Sequence, residues 1–244
     1  MSSLNAAPGA GTSTRLPNQG KLLATRLTAV KDLASPEALK LVADPKVLCV
    51  SRGTILLYKG MFQLLPRLEV IDLSQCSRLC ALPELAGLAG LRELNLSRCT
   101  SLEVLPELAG LTSLHALRIS VCSSLKALPS LSGLASLGEL RLNGCPSLKA
   151  LPELAGLARL QTLNLWNCKS LQKLPALEGL ASLQTLDLGG CSSLEALPEL
   201  AGLPSLQKLS LRGCSSLSAE DAERAEASVS PAAAPASSPS SGVG

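Results

Sequence analysis

The chain has 244 residues and a formal net charge of +3, and hydrophobic residues make up 46% of it while aromatic residues make up only 1%. So small a charge gives no reason to expect a nucleic-acid or membrane-surface partner, and no stretch reaches the roughly 20 apolar residues of a membrane span. With so few aromatic side chains the core must be built almost entirely from leucine, which favours a regular, layered packing.

The two termini and the cysteines indicate the compartment. The N-terminal stretch "MSSLNAAPGAGTSTRLPNQGK" lacks the apolar run of a secretory signal, and the C-terminus lacks the hydrophobic tail of a lipid-anchor signal. Nine cysteines, an odd number, then favour reduced thiols inside the cell. We therefore expect a cytoplasmic protein, with residues 1–20 disordered.

Residues 21–65 are predicted to form an N-terminal cap. Ser35 and Pro36 suit the N-cap and first turn of a helix that should end before Pro45. The nearby sequence "NQGKLL" is not a phosphate-binding loop, because no glycine stands five positions upstream and Leu22 replaces the required Ser or Thr.

The segment that follows the predicted helix is a degenerate first repeat. Val47–Leu65 lies one period upstream of the first clear repeat, so that Leu48 aligns with Ile71 and Val50 with Leu73. We expect it to shield the end of the strand ladder.

Residues 66–217 repeat every 23 residues. Leu-Pro dipeptides begin at Leu82, Leu105, Leu128, Leu151, Leu174 and Leu197. Cysteine keeps the same step, at Cys76, Cys99, Cys122, Cys145, Cys168, Cys191 and Cys214. One repeat buries too few leucines to offset the ordering of its own backbone, so the repeats must stack into a solenoid.

Each repeat combines a strand with a return segment. Around Leu94–Leu96 apolar and polar residues alternate, and a strand that recurs in one direction must join a parallel ladder. In "LPELAGLAGL" the leucines recur every third residue, which suits a short 3₁₀ or irregular turn. One position of this turn is always glycine, which indicates a special backbone conformation or a close approach.

The shared pattern L-x-x-L-x-L-x-x-C-x-x-L-x-x-L-P-x-L-x-G-L resembles the leucine-rich repeat family over Pro66–Leu217, with Cys in place of the more usual Asn. "LSRCTSLEVLPEL" and "LGGCSSLEALPEL" look most like the repeats of plant intracellular nucleotide-binding immune receptors. The resemblance implies an α/β solenoid with parallel β-strands on a concave face and short 3₁₀ or irregular turns on a convex face. It also implies a non-enzymatic module that binds a protein partner.

Residues 218–244 are predicted to form a short polar helix started by Ser218 and then a disordered tail rich in Ala, Ser and Pro.

The cysteines are predicted to be structural, as small buried hydrophobes whose thiols contact neighbouring backbone carbonyls. Zinc needs closely spaced ligands, and the one short-spaced pair, Cys76 and Cys80, has no histidine near it. Parallel side-chain directions argue against disulfides between rungs, and the single histidine, His115, has no matched acid and thiol. We predict no catalytic residue, cofactor or metal.

The outward strand positions are the predicted partner-binding surface. Tryptophan and arginine are the types most enriched in binding hot spots, and Arg118, Arg141 and Trp166 fall on successive rungs. The full set of candidates is Glu93, Arg118, Glu139, Arg141, Asn143, Asn164, Trp166 and Asn167. The alternative interpretation is a solvated polar face with one incidental aromatic residue.

A column of glutamates follows the Leu-Pro dipeptides, at Glu84, Glu107, Glu153 and Glu199. It is interpreted as a hydrated edge, with a recognition stripe for a basic partner as the alternative. We expect a monomer. The rival functions are the recognition half of a larger immune-receptor-like or ubiquitin-ligase-type effector system, a purely structural repeat protein, and a metal or redox sensor.

Overall fold

A three-residue strand forms once in every clear repeat. Successive side chains of a strand point to opposite faces, so the apolar residue at its centre is buried while its two neighbours face outward. The computed structural model describes residues 26–27, 46–49 and 60–229, without the side chains of residues 26, 27, 47 and 49. Within these residues nine strands form: β1 Arg26–Leu27, β2 Val47–Cys49, β3 Val70–Asp72, β4 Glu93–Asn95, β5 Ala116–Arg118, β6 Glu139–Arg141, β7 Thr162–Asn164, β8 Thr185–Asp187 and β9 Lys208–Ser210.

Several predictions for the chain ends lie outside the described residues. They are the helix that begins at Ser35, the alignment of Val50 with Leu73, and the disorder of residues 1–20 and of the segment after residue 229. The domain boundaries proposed from the sequence, at residues 20, 65 and 217, therefore remain a prediction.

The strands form one parallel sheet in chain order, from β1 to β9. From β2 to β9 each residue pairs with its counterpart 23 positions later, as Leu94 does with Leu117, whereas Arg26 of β1 pairs with Val47, 21 positions later. The same register reaches back to the segment interpreted as a degenerate repeat, where Leu48 pairs with Ile71. The predicted parallel ladder with one strand in each repeat is therefore confirmed.

The core is a continuous stack of leucines that runs the length of the ladder. The central strand leucine, the leucine just after the strand and the leucines of the return segment are buried, as Leu94, Leu96 and Leu88 show, except that Leu209 in the last strand is only partly buried. Among the described residues no polar or charged side chain is buried. Each fully buried leucine contributes about 1.5–3 kcal/mol to the stability of the fold. The leucine stack therefore provides most of the hydrophobic stabilisation that aromatic residues would otherwise supply.

The return segments are chains of turns rather than helices. The backbone N–H of Leu88 donates to Leu85 at 3.3 Å and that of Leu91 to Leu88 at 2.9 Å, which is the three-residue step that the leucine spacing predicts. In the part of the chain that the structure describes, one 3₁₀ helix occurs, η1 Met61–Leu64, and it lies before the first clear repeat.

The recurring glycine of the return turn is required by backbone conformation and not by close approach. Five of the six, Gly87, Gly110, Gly133, Gly156 and Gly179, have φ between 84° and 91°, and a Cβ there would meet no atom within 4 Å. The sixth, Gly202, has an equally open position without a positive φ.

A second left-handed position, directly before each ladder cysteine, has no constant residue type. Its φ is between 60° and 81° in every clear repeat, at Gln75, Arg98, Val121, Gly144, Asn167, Gly190 and Gly213. Sequence reasoning missed this position. Its one signal was that four of the seven residues are Gly or Asn, the types that adopt this conformation most readily.

The last repeat is followed by the short helix that Ser218 was predicted to start. The helix, α1, spans Ala219–Ala227, and the Ser218 side chain accepts a hydrogen bond from the backbone N–H of Asp221 at 3.1 Å. Ala225 packs into the core and is buried. The helix therefore contacts the end of the leucine stack through two small side chains, the buried Ala225 and the partly buried Ala222.

Candidate protein-binding face

The ladder thiols face inward and act as hydrogen-bond donors. Cys99, Cys122, Cys145, Cys168 and Cys191 are fully buried, and each Sγ donates to a backbone carbonyl 26 residues earlier at 3.1–3.2 Å. Burial raises the pKa of these thiols from 9.0 to about 11 for Cys145 and to about 12 for the other four. Thiols held protonated in this way are poor nucleophiles and poor metal ligands.

Other potential reactive groups lie apart from one another. His115 is exposed directly before β5, and Cys80 is exposed after the turn that follows β3. In the described ranges no group of three or more His, Cys, Asp or Glu side chains is arranged to hold a metal ion. A separate search of the same ranges finds no helix with the length and apolar character needed to cross a bilayer.

We use the name strand face for the outward side chains of β3–β9 together with the second residue after each strand. Four predicted site residues meet on it. Arg118 holds Glu139 through two parallel hydrogen bonds, Nε to Oε1 at 3.0 Å and Nη2 to Oε2 at 2.9 Å. Its Nη1 donates to Glu93 Oε2 at 3.1 Å, and Arg141 Nε donates to Glu139 within β6.

The pairing shifts the pKa of both central groups in this quartet. Hydrogen bonding to Glu139 raises the pKa of Arg118, and hydrogen bonding to Arg118 lowers the pKa of Glu139. All four side chains are at least partly exposed, so solvent screening limits what each pair adds to stability. The quartet fixes the position of its charges rather than supplying much of the folding free energy.

The three predicted asparagines hold local structure. Asn164 Oδ1 accepts a hydrogen bond from the backbone N–H of Trp166 at 3.0 Å. In the same way, the side chains of Asp72, Asn95 and Asp187 each accept the backbone N–H of the residue two positions later. Asn143 Oδ1 accepts a hydrogen bond from Ser120 Oγ at 2.6 Å. Asn167 occupies the left-handed turn position with φ 61°, a conformation that asparagine tolerates better than most residues.

Trp166 points outward, as predicted, and is 51% exposed. Its ring leans over the next rung, where Gly189 stands. A Cβ on Gly189 would lie 3.0 Å from Trp166 Cδ1, 3.1 Å from Ser210 Oγ and 3.3 Å from Asp187 Oδ1. Any larger residue there would displace the indole, so Gly189 determines where the ring lies.

Two residues of the predicted outward columns, Ala116 and Gly189, are buried. Ala116 precedes the central leucine of β5, yet only 6% of its surface is accessible. Its partners in the sheet are Glu93 and Glu139, whose longer side chains flank it. A methyl group between two such neighbours is covered although it faces outward.

The glutamate column of the rim is exposed at all four positions. This exposure fits the interpretation as a hydrated edge, and the alternative of a recognition stripe stays untested.

Comparisons with known proteins agree with this architecture. A sequence model described as "Leucine Rich repeats (2 copies)" matches residues 158–202. The solved leucine-rich repeat domain of the type III effector XCV3220 (XopL) is 27% identical, with 72% of each chain covered and a TM-score of 0.50.

Two further solved structures show weaker likeness. The Leptospira interrogans LRR protein LIC12759 is 19% identical over 80% of this chain and 84% of its own, with a TM-score of 0.28. An internalin (inlF) from Listeria monocytogenes is 15% identical over 83% and 93%, with a TM-score of 0.18. No curated protein matches the chain. The repeat pattern, the parallel ladder and the match to the XopL domain identify this chain as a leucine-rich repeat solenoid.

Proposed function

We propose that the protein is a non-enzymatic recognition module that binds a protein partner through its strand face, the concave face of this family. Leucine-rich repeat domains are in general interaction modules, and extended concave surfaces are how solenoids bind. The single observation that carries the proposal is Trp166. It is the chain's one tryptophan, and half of it lies open to solvent on a mostly polar face.

The position of Trp166 suits a binding anchor. Its backbone is held by Asn164 and its ring position is set by Gly189, so little conformational freedom would be lost on binding. Arg141, on the preceding rung, adds a second residue type enriched in hot spots. We further propose that the protein acts as a cytoplasmic monomer without cofactor or catalytic residue.

The test compares two exposed apolar side chains. Val104 is 54% exposed but lies outside the strand face, so Val104→Ala is a matched control for Trp166→Ala. The wild type and both variants are used to capture proteins from a lysate of the source cells, and the captured proteins are quantified by mass spectrometry. We expect a partner that is retained by Val104→Ala and lost with Trp166→Ala. Equal retention by both variants, with unchanged circular dichroism, would contradict the proposal.

A second candidate function is that of a type III effector, or of the recognition half of a larger effector. XopL is such an effector, and its repeat domain is the solved structure that shares 27% identity with this chain. The test is a reporter fusion whose signal requires entry into a host cell, expressed in bacteria with and without a working type III system. Signal that depends on that system supports this role, and its absence rejects it. The resemblance to plant immune receptors remains a prediction.

A further inference from the structure

The arginines of the strand face differ in how much of their hydrogen-bonding capacity is used. Arg118 directs three N–H groups at two carboxylates and is 33% exposed. Arg141 uses only Nε, toward a Glu139 carboxylate that Arg118 already holds through two bonds, and is 49% exposed. The terminal nitrogens of Arg141 have no protein partner in the described part of the chain.

Arg212 is the second available guanidinium. It follows β9, it is exposed, and no ion pair joins it to any described residue. Arg141, Trp166 and Arg212 therefore lie on the sixth, seventh and ninth rungs, with the exposed indole between two open guanidinium groups.

Cations exceed carboxylates on this half of the face. The strand face from β6 to Arg212 carries Arg141, Lys208 and Arg212 against Glu139 and Asp187. Glu139 is shared between Arg118 and Arg141, so this part of the face carries one more cation than carboxylate. A surface with this balance favours anionic groups on its partner.

We propose, on the basis of the protein-binding function proposed above, that the face from β6 to β9 binds an acidic, extended segment of the partner. Two carboxylates of that segment pair with Arg141 and Arg212, and an apolar side chain between them packs on Trp166.

The spacing of the rungs defines the segment. Neighbouring strands lie about 4.8 Å apart, so the sixth and ninth rungs are about 14 Å apart, which an extended peptide spans in about four residues. Asp187 Oδ1 lies beside the Gly189 position, so a carboxylate in the middle would be repelled there. An apolar side chain at the centre and acids at the ends satisfy both constraints.

The test uses synthetic peptides of defined charge. One nine-residue peptide has two glutamates four positions apart, a phenylalanine between them and serine elsewhere. A second peptide has lysine in place of both glutamates. Binding is followed by the fluorescence of Trp166, the chain's one tryptophan, and by anisotropy of a labelled peptide. We expect the acidic peptide to bind at least tenfold more tightly than the basic one, with an affinity that falls as salt rises.

Charge-neutral variants locate the contacts. Arg141→Gln and Arg212→Gln are each expected to weaken the binding of the acidic peptide about threefold to tenfold. Lys149→Gln is the matched control, since Lys149 is exposed outside the strand face, and it is expected to leave binding unchanged. Equal binding of the two peptides, no binding of either, or equal effects of all three variants would overturn this inference. None of these outcomes affects the capture experiment that compares Trp166→Ala with Val104→Ala. The broader proposal of a protein-binding function is therefore tested separately, by that experiment.

Discussion

Replacing Cys145 with alanine should destabilise the protein more than the same change at Cys191, although both thiols are fully buried. Cys145 Sγ donates to the carbonyl of Ile119 at 3.1 Å, and within the described residues that carbonyl accepts no other hydrogen bond. The carbonyl that Cys191 contacts, that of Leu165, also accepts the backbone N–H of Cys168 at 3.1 Å. Alanine at position 145 therefore leaves the buried carbonyl of Ile119 without a hydrogen bond, whereas with alanine at position 191 the carbonyl of Leu165 keeps one.

The two losses can be separated in magnitude. Both variants lose the burial and packing of a sulfur atom, about 1–2 kcal/mol. The unsatisfied carbonyl adds about 1–3 kcal/mol for Cys145→Ala alone. We therefore expect a loss of about 1–2 kcal/mol for Cys191→Ala and of about 2–5 kcal/mol for Cys145→Ala.

The assay is urea unfolding followed by circular dichroism, with the slope of each transition compared to establish that the variants unfold over the same range of structure. Cys80→Ala is the control, because this thiol is exposed, and it should change the free energy of unfolding by less than about 0.5 kcal/mol. Cys145→Ser, whose hydroxyl can still donate, should recover part of the loss. Equal losses at Cys145 and Cys191, or no recovery with serine, would refute the reasoning.

Three more predictions follow from the geometry. Gly110→Ala should cost about 1 kcal/mol in urea unfolding because φ is 91°, whereas Gly202→Ala should cost nothing because its φ is not positive. Asn164→Ala should leave the backbone N–H of Trp166 without its acceptor, costing about 1 kcal/mol and lowering the fluorescence anisotropy of the indole. The folded-state pKa of about 11 for Cys145 lies above its ordinary 9.0, so its contribution is complete below about pH 9 and is lost as pH rises toward 11 and beyond. The urea midpoint should therefore fall above pH 9, and less steeply in Cys145→Ser.

The repeat length was enough to predict the ladder from the sequence. Once residues 23 positions apart were aligned, the pairing of Leu48 with Ile71, the burial of Cys145 and the outward direction of Trp166 all followed. This worked because a solenoid reproduces one local arrangement in each repeat, so a single correct register fixes every copy.

The contacts between side chains of neighbouring rungs could not be predicted in this way. Arg118 and Glu139 are 21 residues apart, so their pairing depends on the reach and rotamer of two long side chains rather than on the period. The burial of Ala116 depends in the same manner on the length of its neighbours. Asn167 was predicted to bind a partner, and its φ of 61° also places it at a turn position that could not be recognised from the sequence, because no constant residue type occupies it.

The strand face can vary because the fold is held largely from within. The leucine stack and the thiol-to-carbonyl bonds lie inside, and the strands pair through their backbones, so these interactions are independent of the outward side chains. The exceptions are the Asp and Asn residues at the end of β3, β4, β7 and β8, which accept a backbone N–H two residues later. At β5 and β6 that position is Arg118 or Arg141, and ion pairs with Glu93 and Glu139 stand in place of the local bond. The outward residues of β5 and β6, on the rungs before that of the exposed Trp166, can therefore change at little cost to the fold.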